Sequence, residues 1–260
     1  FNWNFIQSVQ KIRETQCDVI YYWKAGEDVW NQFFAMARLA PIQCTSWGTH
    51  GTSGIHNMDY YISWEMAESI NAQEHYTEKL VLISTNPNDE PYQRVPSPVS
   101  RSELSLPKRG AIYFCPHRLP KYHPGFDIYL REILTRDSTG HIVLLTAQPS
   151  PTVELLKERM QREMGAELSR RLIFLPSQSV SDYHRYLSAA TVVLHAPLYS
   201  GEITWVDSLC YGVPSVSQTG ELLIQRYGTA YSRLFEVPHL AAKDRAAYID
   251  EAVQLGTNAD

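Results

Sequence analysis

The chain of 260 residues contains no apolar run of eighteen residues or more, so no membrane-spanning helix is expected. It does not open on a charged-then-apolar leader either. Positive charge is scarce: 23 Lys and Arg stand against 28 Asp and Glu, for a formal net charge of −5, and no basic run is interleaved with aromatics. That balance argues against a nucleic-acid partner. Cysteine is scarce too. Cys17, Cys44, Cys115 and Cys210 are scattered without zinc-site spacing. They are expected as free thiols in a cytoplasmic protein, neither a disulfide framework nor a structural zinc site. No Asp-x-Asp pair offers a divalent-metal site, and no helical repeat is visible. What remains is an ordinary globular balance, 44% hydrophobic and 20% charged, over a length that suits one large domain or two lobes. Sixteen Tyr and six Trp are many, but carbohydrate clefts and packed cores both use such rings.

The most informative stretch is residues 188–228. Thr191-Val192-Val193-Leu194 is β-branched, apolar and too short for a helix, so it reads as a buried strand. Pro197 to Gly201 has turn chemistry, Ile203 to Tyr211 reads as a helix stopped by Gly212 and Pro214, and Pro214 to Ser217 as the next strand. A helical run is expected from Glu221. Strand–loop–helix alternation implies a doubly wound parallel sheet, with ligands beyond the carboxyl ends of the strands and anions at helix N-termini. Thr204 and Asp207, three apart, share a face near one such N-terminus. A hydroxyl and a carboxylate there suit a phosphate oxygen and a sugar diol.

The same alternation fills the rest. Cys17–Trp23, Ala40–Trp47, Met58–Ile62 and Lys79–Ile83 read as strands, and Asp28–Ala37 and Glu65–Tyr76 as helices. Between residues 85 and 109 stand five prolines among Asn, Asp and Ser, the composition of a linker. Residues 1–84 and 110–260 are therefore expected as two lobes. In the second, strands are expected at Ala111–Cys115, His141–Leu145 and Leu172–Leu175. Helices are expected from Pro124 to about Leu134, from Thr152 to Met164, and from Ser181, as cap, to Ala189.

Several motifs resemble glycosyltransferase family 41, which holds the O-GlcNAc transferases, the Spindly-type O-fucosyltransferases and the bacterial cytoplasmic N-glucosyltransferases. In the first lobe the runs are Arg38-Leu39-Ala40-Pro41-Ile42-Gln43, Gly51-Thr52-Ser53-Gly54, Met58-Asp59-Tyr60 and Tyr76-Thr77-Glu78-Lys79-Leu80. In the second they are Leu119 to Pro124 around Lys121, Ser200-Gly201-Glu202-Ile203-Thr204 followed by Asp207, Gly212-Val213-Pro214, Thr219-Gly220-Glu221, and the closing segment Ala247 to Thr257.

The resemblance implies a GT-B-like α/β architecture of two Rossmann-like lobes with parallel sheets, the N-terminal one incomplete. It implies inverting transfer of a sugar from a nucleotide diphosphate donor, UDP-GlcNAc or UDP-glucose, to a protein Ser/Thr or Asn side chain. The partners implied are the nucleotide sugar and a protein acceptor. The nucleotide sugar is a co-substrate; no cofactor and no metal are implied. Lys121 would meet the diphosphate and stabilise the leaving group as charge develops on it, with His117 and Arg118 adding positive charge. Gly201 and Thr204 would line the phosphates, Asp207 the ribose, and Tyr183 or His184 the base. Gly51, Thr52 and Ser53 would face the donor sugar, because glycine lets backbone approach closely and hydroxyls bond hydroxyls. His50 is the polar candidate beside the reacting centre. Glu202 and Ile203 depart from the family's hydroxyl- and histidine-bearing turn, and Glu202 would repel a diphosphate docking on the same N–H groups. The alternative is therefore a non-catalytic glycosyltransferase-like subunit that partners an active enzyme.

Overall fold

A computed structural model describes residues 4–86 and 99–258. The chain divides into two compact units, Phe1–Asp89 with Glu221–Ile224, and Glu90–Gly220 with Gln225–Asp260. Among the described residues no helix is long and apolar enough to cross a membrane.

The first unit opens with α1 (Phe5–Glu14), a helix with no buried residue and no counterpart among the expected elements. Its Phe5 ring stacks on Phe34 at 5.3 Å between centroids. Then follow β1 (Val19–Tyr22), α2 (Val29–Met36), β2 (Ile42–Ser46), β3 (Tyr60–Trp64) and β4 (Lys79–Ile83). The strands form a parallel sheet in sequence order, with Val19 opposite Ile42, Cys44 opposite Tyr60 and Tyr60 opposite Lys79. Asp28 caps α2 by accepting the Asn31 N–H, as its place before an apolar-periodic run leads one to expect.

The helix expected over Glu65–Tyr76 is absent. Those residues form turns and a single 3₁₀ turn, Ala72–His75. The physical reason is Glu68, buried in place of lying on a solvated helix face. Its carboxylate accepts hydrogen bonds from the hydroxyls of Ser63 and Tyr76, which folds the chain back on itself.

Three motif residues brace this sheet. The Arg38 guanidinium donates to both Asp59 oxygens, and Asp59 also accepts the Gln43 N–H at 2.8 Å. The fully buried Gln43 amide accepts from the Tyr22 hydroxyl and the Leu39 N–H, and donates to the carbonyls of Ala35 and Asn57. All four of its valences are used.

In the second unit the order is β5 (Ile112–Cys115), α3 (Pro124–Arg136), β6 (His141–Leu145), α4 (Pro151–Ser169), β7 (Leu172–Leu175), α5 (Val180–Ala189), β8 (Val192–Leu194), α6 (Ile203–Cys210), β9 (Ser215–Gln218), α7 (Tyr227–Leu234), β10 (Ala241–Ala242) and α8 (Arg245–Thr257). Six parallel strands lie in the order β10-β9-β8-β5-β6-β7. Every residue of β5 is buried, because the sheet is covered on both faces. Tyr113 and Cys115 pack with residues of α3, α4 and α8, such as Phe126, Met160 and Tyr248. Ile112 and Phe114 pack on the opposite face with Leu187 and Val213.

Part of the expected linker, residues 87–98, lies outside the described residues. Of the remainder, Leu104 and Leu106 are buried in the second core. Two local expectations shift. Ser179, not Ser181, caps α5, accepting the Asp182 N–H. The run from Glu221 forms a 3₁₀ turn, Leu223–Gln225, and the helix begins only at Tyr227. Cys44 and Cys115 are buried and Cys17 exposed, all free.

Replacing Gln43 with Ala strands the Tyr22 hydroxyl, the Leu39 N–H and two carbonyls inside the first unit. Its stability in urea should fall by about 3 kcal/mol or more, the usual cost of several buried unsatisfied groups. A loss below about 1 kcal/mol would show that the bracket does not carry this sheet.

Candidate functional site

The connection from β7 to β8 carries the chain back across the sheet, so β5 and β8 are neighbours whose following loops diverge. Such a switch point opens a crevice beyond the strand ends. Of the residues expected there, Lys121 lines a cavity, while Tyr183 bonds Asp207 and Gly201 bonds His195.

Beyond β5 the chain turns at His117. Its Nε2 lies 2.8 Å from the Leu194 carbonyl and 3.1 Å from the Ala196 N–H, tying the β5 loop to the β8 loop. His117 was expected to add positive charge; it does not. It is 1% exposed, and burial, with the Lys121 charge nearby, pushes its pKa down to about 3. Arg118 is exposed. A 3₁₀ turn, Leu119–Lys121, then presents Lys121, and His123 caps α3 by accepting the Gly125 N–H at Nδ1. Lys121 is half-buried, with its Nζ 3.7 Å from the centroid of the Tyr199 ring. Burial and then the Arg118 charge lower its pKa from 10.5 to about 8, while the Glu202 carboxylate acts in the opposite direction.

Beyond β8 lies His195, fully buried, with its carbonyl accepting the Tyr248 hydroxyl and its Nδ1 accepting the Gly201 N–H. Burial drives its pKa well below the ordinary value. Gly201 has no room for a side chain: a Cβ would stand 2.0 Å from the Thr204 hydroxyl and 2.7 Å from the His195 ring. Glu202 holds the N-cap position of α6 without a side-chain capping bond.

One turn later Asp207 is buried and accepts the Tyr183 hydroxyl at 3.1 Å. Burial raises its pKa against the opposing effect of that bond. The Tyr183 ring packs on Phe114, and His184 Nδ1 pairs with the Tyr211 hydroxyl at 2.8 Å. Both base candidates are thus tied to neighbours, and Tyr183 shares the carboxylate expected to meet a ribose.

Three polar atoms in and after these loops, His117 Nδ1, His195 Nε2 and Thr204 Oγ1, are buried without hydrogen-bond partners. Each such atom costs about 1–3 kcal/mol in a packed interior. Beside Lys121, residues His123, Ala196, Gln218, Thr219 and Arg245 line a cavity of about 260 Å³.

His50, Gly51, Thr52 and Ser53 lie in the first unit, after β2. The Thr52 hydroxyl donates to Glu78, and Ser53 donates to the same carboxylate through both its N–H and its hydroxyl. Burial works to raise the Glu78 pKa, but these bonds outweigh it and hold it below the ordinary value. The two hydroxyls expected to bond a sugar are therefore engaged internally. Open space remains where a Cβ would stand at Gly51 and Gly54, the latter at φ +65°. Half-buried His50 lies in the same loop.

Glu78, His195 and Tyr199 are the residues that sequence reading missed. Glu78 stood in a quoted motif without a role. His195 closes an apolar strand, and Tyr199 is an aromatic inside a turn; both were signals available in the sequence.

The model of the family described as glycosyl transferase family 41 matches residues 22–89 and 88–260. A probable UDP-N-acetylglucosamine–peptide N-acetylglucosaminyltransferase SEC of Arabidopsis thaliana is 28% identical over 88% of this chain and 24% of its own length. A probable SPINDLY transferase of Solanum lycopersicum is 26% identical over 95% of this chain and 26% of its own. Among solved structures, a mutant O-GlcNAc transferase of Thermobaculum terrenum superposes with a TM-score of 0.83 at 23% identity, covering 98% of this chain and 48% of that one. Sucrose-phosphate synthase of Thermosynechococcus elongatus gives 0.57 at 16% identity, over 98% and 74%. These likenesses place the fold in the GT-B class. The chain spans about a quarter of the length of these two curated relatives.

Because the folded-state pKa of Lys121 lies below its unfolded value, the cost of its buried charge is relieved as pH rises from about 8 toward 10.5, and stability gains over that window. An anion held by the ammonium should bind more weakly as pH climbs through 8, taking up a proton when it does. Sulfate, a dianion at both pH values, titrated at pH 8.5 into buffers of low and high ionisation enthalpy should give different heats, converging at pH 6.5. Equal heats at both pH values would contradict the lowered pKa.

Proposed function

The chain belongs to glycosyl transferase family 41, and we propose that it transfers a sugar from a nucleotide diphosphate donor to a protein Ser/Thr or Asn side chain with inversion at the anomeric carbon. The observation that carries this reading is Lys121. A half-buried ammonium stands at a topological switch point, and the α6 N-terminus follows the neighbouring strand with an unsatisfied Thr204 hydroxyl in its first turn. Charge develops on the diphosphate as the glycosidic bond breaks. A fixed cation in a partly desolvated site stabilises that charge more in the transition state than in the ground state. Helix N–H groups and Thr204 would take further phosphate oxygens, Asp207 the ribose hydroxyls, and Tyr183 or His184 the base. The Gly51–Ser53 loop would meet the sugar through backbone, since Glu78 occupies its hydroxyls, with His50 beside the reacting carbon. UDP-GlcNAc or UDP-glucose is the expected donor, and the reaction would take place in the cytoplasm.

A second reading has one observation in its favour. Glu202 places a carboxylate at the N-cap position of α6, within Coulombic range of Lys121. If it displaces a diphosphate, the chain is a non-catalytic partner of an active transferase.

Calorimetric titration with UDP, GDP, UDP-GlcNAc, UDP-glucose and GDP-fucose separates the two. The enzyme reading expects saturable binding of one base over the other. It also expects Lys121→Ala to lose about tenfold or more in affinity, the worth of one charge-assisted bond, and to lose turnover with it. Absence of binding in the folded chain, restored by Glu202→Gln, would select the partner subunit.

A further inference from the structure

Lys121 is held in a place that disfavours its charge. Burial works against the ammonium, and so does Arg118 from the same turn. The buried imidazoles within Coulombic range of it, His117 and His195, have their pKa values pushed down and offer it no negative charge. Glu202, at the start of α6, is the carboxylate that favours the charge. If a donor diphosphate binds at that helix start, it meets Glu202 as well, so that carboxylate alone makes a poor permanent counterion. The remaining partner is a ring face. Tyr199 lies in the turn between β8 and α6, braced by its N–H to the Ala196 carbonyl at 3.0 Å, and its ring centroid is 3.7 Å from Lys121 Nζ. An aromatic face attracts an ammonium through its quadrupole without competing for the N–H directions that point away from the ring. Unlike a carboxylate, it adds no charge to repel a phosphate.

We propose that Tyr199 is a positioning residue of the anion site: its ring face keeps the Lys121 ammonium in place between the β5 and β8 loops while leaving its outward N–H groups for the donor's diphosphate. This rests on the reading of that site as a nucleotide site. The two are nonetheless separable, because the ring's hold on Lys121 exists without any ligand. The attraction comes from the ring face, which phenylalanine keeps, so Tyr199→Phe preserves it and Tyr199→Leu removes it. Graded fluorination of a phenylalanine at this position weakens the ring quadrupole with little change in shape, which keeps the test open should the leucine variant fold poorly.

The experiment has two stages. First, the Lys121 side chain is titrated by ¹³C NMR in the ligand-free protein, its signal assigned by loss in Lys121→Met. The midpoint should be unchanged in Tyr199→Phe, fall by about half a pH unit or more in Tyr199→Leu, and fall stepwise with fluorination, as expected for an interaction of cation–π strength. Second, nucleoside diphosphate affinity is measured at pH 6.5 and 8.5. Tyr199→Leu should lose about threefold or more at pH 8.5 and little at pH 6.5, with Tyr199→Phe matching the wild type at both. A midpoint indifferent to leucine and to fluorination would overturn the proposal, as would equal losses in the phenylalanine and leucine variants. A wild type that binds no nucleotide overturns the nucleotide reading instead, while the ligand-free titration still decides the role of Tyr199.

Discussion

A positive charge kept half-buried at the carboxyl end of a parallel strand is the constraint on which the rest of the second unit depends. A lysine in that position gains little from water and is pressed by Arg118, so the surroundings must hold it in other ways. The sheet supplies the place. Because the chain returns from β7 to pair β8 with β5, two loops part there. His117 joins those loops, and as a neutral ring it does so without adding to the repulsion. His195 and Gly201 then set the start of α6, where only a glycine leaves room for the Thr204 hydroxyl and the imidazole together. Unsatisfied buried groups at such a position cost stability.

The first unit handles polar groups differently. Its motif residues Arg38, Gln43 and Asp59 satisfy one another almost completely and behave as a bracket for the sheet. Glu78 does the same for the Gly-Thr-Ser-Gly loop, fixing its hydroxyls and leaving the glycine backbone open. Runs that look functional in sequence are thus partly structural, tying a loop's hydroxyls to a carboxylate of the same unit.

Strands of this protein were legible because they are short β-branched or aromatic runs between turn residues, as at Val192–Leu194 and Lys79–Ile83. Helices with a clear start, Asp28 before α2 and Pro124 in α3, were legible for the same local reason. The Glu65–Tyr76 segment was not, because a helical pattern of polar and apolar residues carries no sign that Glu68 would be drawn inward by Ser63 and Tyr76. The site followed the same division. Lys121 after β5, and Thr204 and Asp207 in α6, lie in the local elements that spacing leads one to expect. The neutrality of His117 and the ring beneath Lys121 arise from residues about 80 apart in sequence meeting across a sheet, which spacing along the chain does not encode.

The most direct test of the nucleotide site is chemical-shift mapping of the assigned protein titrated with UDP and, separately, GDP. Saturable shifts centred on Lys121, Tyr199, Gly201, Thr204 and Asp207, extending to Tyr183 or His184 for one base and not the other, are the predicted result. Shifts confined to other residues, or none with either nucleotide in a folded sample, would contradict it.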